Sequence, residues 1–137
     1  MAIDYGERRV GLAISDPTRT IASPAGFIER RIGKRPPVAA LERKAQELEA
    51  VEIVMGLPLD SDGEETPRSI ECRAVATELS RRTGLPSRVV DERFTTAQAL
   101  RAVREMGGTT RGRKGDVDAL AATMLLQHAL RLVEPAP

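Results

Sequence analysis

From Arg8 to Ser15, apolar Val10, Leu12 and Ile14 alternate with Arg9, Gly11 and Ala13. A period of two predicts a β-strand. Met1–Gly6 before it reads as a shorter strand ending in a turn, and Ala25–Arg30 after it as a third strand, reached through a turn at Asp16-Pro17. These three segments suggest an antiparallel meander. Beyond the Pro-rich stretch Ile32–Pro37 the period changes. Leu41, Ala45 and Leu48 fall on one face of a helix expected over Pro37–Ala50, since proline is tolerated at a first helical position. Val51–Leu57 is short, β-branched and apolar, the pattern of a buried strand. A loop over Pro58–Pro67 leads to a helix over Arg68–Arg82, stopped by Gly84 and Pro86. Ser87–Arg93 reads as a fifth strand. Thr95 with Gln98 fits a capping box opening a helix that ends at Gly107-Gly108, and a final helix is expected from Asp116 to Val133.

Three strands followed by alternating helices and strands imply an α/β domain, with helices on the faces of a mixed five-stranded sheet. A length of 137 residues suits a single domain over 1–137. Aromatics are only 2 % of the chain, so the core must be aliphatic. No run approaches the roughly 18–20 apolar residues that span a bilayer, and the first residues do not form a signal peptide. A cytoplasmic protein with no membrane partner is the expectation.

A formal net charge of +1 is not the footprint of a protein that coats nucleic acid by bulk electrostatics, so such binding would need local basic patches. One cysteine, Cys72, excludes an intrachain disulfide framework and a Cys-rich zinc site, and one histidine, His128, excludes a His cluster. Both read as structural. A bound metal would therefore take carboxylates, which points to magnesium or manganese.

Acids stand at three element ends: Asp4 in the first strand, Asp91-Glu92 closing the last, and Asp118 opening the final helix. With the first strand central, Asp4 and an acid at the end of a parallel neighbour could converge. Asp91 and Glu92 point to opposite sides of their strand, so one of them can join Asp4. Asp116 suits an N-cap, whereas Asp118 shares a face with Ala121, Ala122 and Leu125, small enough to let the helix sit close to the sheet. Three acids meeting repel one another, and a divalent cation is the usual resolution. Each acid taken singly can equally be a surface charge or a cap.

Gly6 could allow a tight turn beneath a phosphate, or be plain hairpin geometry. Gly56 and the Asp62-Gly63 pair lie in a loop at a strand end, where α/β sheets place ligands and backbone N–H groups can hold phosphate. Arg8, Arg9 and Arg93 are the cations nearest the acids in sequence. Arg93 could grip a phosphate or balance the carboxylates. Arg111, Arg113 and Lys114 form a basic segment before Asp118, suited to phosphate contact that positions without reading sequence. Arg30, Arg31, Lys34 and Arg35 read as a solvated loop. Only Tyr5, Phe27 and Phe94 could stack on bases, so recognition by shape and backbone fits better.

The blocks AIDYGERRVGLAISD, GLPLDSDGEETP, VVDERFTTAQA and RKGDVDALAATMLLQ, in that order, resemble the four signatures of the YqgF/RuvX family. That family is grouped with RuvC-type Holliday-junction resolvases and described as candidate pre-16S ribosomal RNA nucleases. The resemblance implies a ribonuclease-H-like fold and metal-dependent hydrolysis leaving a 5′-phosphate. It places the family's metal-binding acids on Asp4, Glu92 and Asp118, which would hold Mg²⁺ or Mn²⁺, two ions in all. It also implies a first strand shorter at its start than the family's, with only Met1, Ala2 and Ile3 ahead of Asp4. The expected partner is structured RNA precursor or branched DNA, bound by a monomer or a homodimer. A nucleotide phosphotransferase of the actin and sugar-kinase type, which also opens on Asp-x-Gly, would need two such domains. A non-catalytic partner of ribosome assembly or transcription would give no reason to collect carboxylates.

Overall fold

The computed structural model describes residues 1–30, 35–94 and 114–132. Five strands, β1 (Ala2–Tyr5), β2 (Arg9–Ser15), β3 (Ala22–Glu29), β4 (Ile53–Leu57) and β5 (Ser87–Asp91), form one sheet in the order β3-β2-β1-β4-β5. β1 is central. It pairs antiparallel with β2, which pairs antiparallel with β3, and parallel with β4, which pairs parallel with β5. The expected meander and mixed sheet are both present.

Helices α1 (Val38–Glu47) and α2 (Pro67–Thr83) cover one face, and α3 (Lys114–Leu132) covers the other. The alternation along β1 and β2 decides what each face receives. Ile3, Tyr5, Val10 and Leu12 join Leu41, Met55 and Leu79 in the core under α1 and α2. Ala2 and Ala13 join Val54, Val90, Ala121, Ala122, Leu125 and Ala129 under α3. The second face is made of small side chains, so α3 approaches the sheet backbone closely. None of the described helices is long and apolar enough to cross a membrane.

Several boundaries differ from the sequence pattern. β3 starts at Ala22 rather than Ala25, because a register shift opposite Gly11–Ala13 lets pairing continue past Pro24. Proline is tolerated there because β3 is an edge strand. α1 stops at Glu47, followed by Glu49 in the left-handed region at φ 54°, and exposed Val51 stays outside β4. α2 opens on a reciprocal cap: Ser69 N–H donates to Thr66 Oγ1 (3.0 Å), and Thr66 N–H donates to Ser69 Oγ (2.7 Å). It closes on Gly84 at φ 75°, as a left-handed stop requires. β5 ends at Asp91, and Glu92–Phe94 form a 3₁₀ turn. α3 begins at Lys114, so Asp116 lies within the helix and is not its cap. The helix expected from Thr95 lies outside the described residues.

Candidate active site

Asp4 sits in the middle of β1, directly opposite Gly11 of β2. On its other side the parallel register pairs Ala2 with Val54 and Ile3 with Met55, so the next step places Asp4 beside Gly56 of β4. Residues opposed across a sheet point to the same face, and Ala2, two before Asp4, belongs to the α3 face. Asp4 is thus directed toward α3, between two positions that carry no side chain.

The two other acids come in over those glycines. A Cβ added at Gly11 would lie 2.0 Å from the backbone carbonyl oxygen of Asp118, so the α3 backbone rests on Gly11 at Asp118–Ala119. A Cβ added at Gly56 would lie 2.6 Å from Glu92 Oε1 and 2.8 Å from Leu125 Cδ2. The 3₁₀ turn after β5 carries Glu92 inward over Gly56. Asp4, Glu92 and Asp118 are 1 %, 1 % and 2 % exposed, a burial that Asp and Glu almost never reach without a specific role or partner. Burial pushes the Glu92 carboxyl up to about 7, against the Arg68 charge that favours its ionised form and with the Asp91 charge adding to the rise. Of the adjacent pair Asp91-Glu92, Glu92 is the one that turns to Asp4. Asp91 instead accepts from Arg93 Nη2 (2.7 Å) and Nε (3.0 Å), which holds its carboxyl below the usual range.

Arg93 also donates to the Ser61 carbonyl (3.2 Å), tying the end of β5 to the β4–α2 loop. In that loop Asp62 and Glu64 N–H groups both donate to Asp60 Oδ1 (2.9 Å each), and Gly63 N–H donates to the Asp60 carbonyl. Those amides are therefore turned into the loop. Gly63, at φ 82°, leaves room for the Arg93 guanidinium. Gly6 closes the β1–β2 hairpin, its N–H donating to the Arg9 carbonyl (3.0 Å). Arg8 is exposed on that hairpin. Lys114 opens α3, while Arg111, Arg113, Arg31 and Lys34 lie outside the described residues.

Arg30 is not part of a solvated loop. Its guanidinium donates to the Gly6 carbonyl (3.0 Å), pairs with Glu71 (2.8 Å) and stacks 4.3 Å from the Tyr5 ring centroid. This arrangement encloses Tyr5, 1 % exposed, which is therefore no platform for a base. Arg68, which the sequence pattern did not single out, donates from Nη2 to the Tyr5 carbonyl (2.8 Å). The residues following Asp4 are thus held by two guanidinium groups. Gly11 was equally missed as a site residue. The available signal was a glycine inside an otherwise regular strand pattern, which marks a close approach of another backbone.

A family model described as "RuvX: Holliday junction resolvase" matches residues 1–132. The chain belongs to the RuvX family. Curated relatives named "Putative pre-16S rRNA nuclease" include one from Clavibacter michiganensis subsp. michiganensis (strain NCPPB 382), 38 % identical over 130 residues, covering 95 % of this chain and 81 % of that protein. Another, from Anaeromyxobacter sp. (strain Fw109-5), is 37 % identical over 127 residues, covering 93 % of this chain and 92 % of the relative. The solved structure of "T. thermophilus RuvC in complex with Holliday junction substrate" superimposes with a TM-score of 0.54 at 15 % identity. It covers 93 % of this chain and 90 % of that one, which establishes for this RuvX member the ribonuclease-H-like fold.

Proposed function

We propose that this RuvX member is a divalent-metal-dependent endonuclease that hydrolyses phosphodiester bonds of structured nucleic acid, in processing the 5′ end of pre-16S rRNA, in resolving four-way DNA junctions, or in both. The observation that carries the reading is the central row of the sheet. Asp4 lies between two glycines, and over those glycines come Asp118 and Glu92. The names of the relatives and the nucleic-acid complex of the structural neighbour support the substrate class.

The donor set offers only oxygen ligands, which suits magnesium or manganese. Among the described residues no three His, Cys, Asp or Glu side chains are yet gathered to one point. Three buried carboxylates repel one another, and a divalent cation is what would draw them together. Asp4, Glu92 and Asp118 would hold the metal, as two ions. Bound there, the ions would polarise the scissile phosphate, lower the pKa of the attacking water and stabilise the leaving oxygen. The chain's own contribution is rigidity. Asp4 stands on the central strand and Asp118 on a helix seated against it, while the turn bearing Glu92 is braced through Asp91 and Arg93. Arg8 on the exposed hairpin and the basic segment Arg111, Arg113 and Lys114 would contact backbone phosphates, setting orientation without reading bases.

The test is cleavage of labelled precursor rRNA fragments and synthetic four-way DNA junctions with manganese, magnesium or EDTA. Wild type is compared with Asp4→Asn, Glu92→Gln and Asp118→Asn, each checked for folding. Cleavage that requires metal and disappears in all three variants is expected. A well-folded wild type that binds either probe but cuts neither would refute catalysis and favour a non-catalytic assembly partner.

A further inference from the structure

Arg68 occupies the first turn of α2, two residues after the Thr66 cap. A cation there opposes the helix dipole, and no acid in that turn offsets it. Such local conflict with propensity concentrates at functional positions. The guanidinium is nonetheless fixed, because Nη2 donates to the Tyr5 carbonyl at 2.8 Å, one residue beyond Asp4. Its Nε and Nη1 make no hydrogen bond among the described residues. The acid paired with it is Glu7, whose Oε1 is 3.9 Å from Nη1 on a side chain 68 % exposed. Arg68 itself is 31 % exposed. One prong of the fork is therefore anchored beside Asp4, while Nη1 has only the long contact with Glu7.

The neighbouring arginines are differently placed. Arg30 is engaged by Gly6, Glu71 and the Tyr5 ring, and Arg93 by Asp91 and Ser61. Among the described residues Arg68 hydrogen-bonds through a single guanidinium nitrogen, against two for Arg30 and three for Arg93, and its charge acts on Glu92. Guanidinium groups match phosphate oxygens in planar geometry, and one already held in place loses little freedom on binding.

We propose that Arg68 is a substrate ligand of the site: anchored to the Tyr5 carbonyl through Nη2, it takes a backbone phosphate oxygen of the nucleic acid with Nη1, displacing the loosely paired Glu7. The inference rests on the nuclease reading. It adds a phosphate contact on the α2 side of Asp4.

The experiment is fluorescence anisotropy in EDTA, where cleavage does not intervene, with a labelled four-way DNA junction and a precursor rRNA fragment over a KCl series. Arg68→Ala is expected to weaken binding roughly tenfold. It should also flatten the dependence of log Kd on log salt by about one ion. Arg68→Lys, which keeps the charge, should retain the salt slope. Arg68→Gln, which removes the charge while keeping a polar side chain, should lose it. Arg81→Ala, at the far end of α2, should match wild type. The inference is overturned if Arg68→Gln keeps the wild-type slope and affinity, because Arg68 would then be only a brace. Should Arg68→Ala fail to fold, the Lys and Gln variants decide alone. A wild type that binds neither probe refutes the nuclease reading, and this inference with it. A wild type that binds and cuts while Arg68→Gln is silent sinks this inference only.

Discussion

Gly11→Ala probes the geometry of the site without touching any acid. The new methyl carbon would lie 2.0 Å from the Asp118 carbonyl oxygen and 2.4 Å from its carbonyl carbon, where a real Cβ keeps at least 3.0 Å. Neither side can yield by rotating a side chain, because the clash is with backbone and Gly11 is held between β1 and β3. Relief requires the start of α3 to lift from the sheet by about 1 Å, against the close packing that holds it. Overpacking of this kind costs about 1–3 kcal/mol. For a domain of this size that lowers Tm by roughly 3–10 °C. Asp118 moves with the helix, and a misplacement of about 1 Å in a reacting constellation can cost roughly a hundredfold in rate. The assay is calorimetry with single-turnover cleavage, well below the variant's Tm. Leu79→Ala is the control: Leu79, on α2, is fully buried in the core of the opposite face, so its truncation should lower Tm by a comparable or larger amount yet leave kcat near wild type. If Gly11→Ala melts and cuts like wild type, the seating of α3 on Gly11 does not position Asp118.

Glu92 predicts a pH signature in the metal-free protein. Its carboxyl is raised from 4.5 to about 7 by burial, so ionising it costs native stability that is intact below pH 4.5 and lost as pH rises through about 7. The window amounts to something on the order of 3 kcal/mol. In urea melts Glu92→Gln should therefore gain on wild type between pH 5 and pH 8 while abolishing cleavage, and parallel curves would contradict the burial argument. Cys72 is fully buried with its thiol pushed up to about 12, chiefly by burial, so a thiol reagent at pH 8 should label it only at the rate of unfolding. Fast labelling of folded protein would count against this core. Thr66→Ala removes one half of the cap that starts α2 and should cost about 1 kcal/mol by denaturant melt, whereas an unchanged midpoint would mean the cap adds nothing.

The strand and helix periods, the meander and the three acids were legible in the chain because each depends on local alternation or on residue type. The small residues Ala121 and Ala122 even signalled a helix close to the sheet. What local pattern could not supply was contact between distant segments. The third strand read as starting at Ala25 until pairing with β2 carried it back through Pro24 to Ala22. Arg30 read as part of a solvated loop, and Arg68 was not singled out, until the hairpin after Asp4 folded between them. The loop amides of Asp62 and Gly63 looked available until Asp60 accepted from both, through its carboxylate and its backbone carbonyl. The sequence by itself determined which residues carry charge, which positions are small and how the elements alternate, since these are properties of single residues and short spacings. Only the tertiary structure decided that Asp4 lies between two glycines with Glu92 and Asp118 above them, because β1, β4, β5 and α3 meet there through long-range pairing and packing that no local window contains.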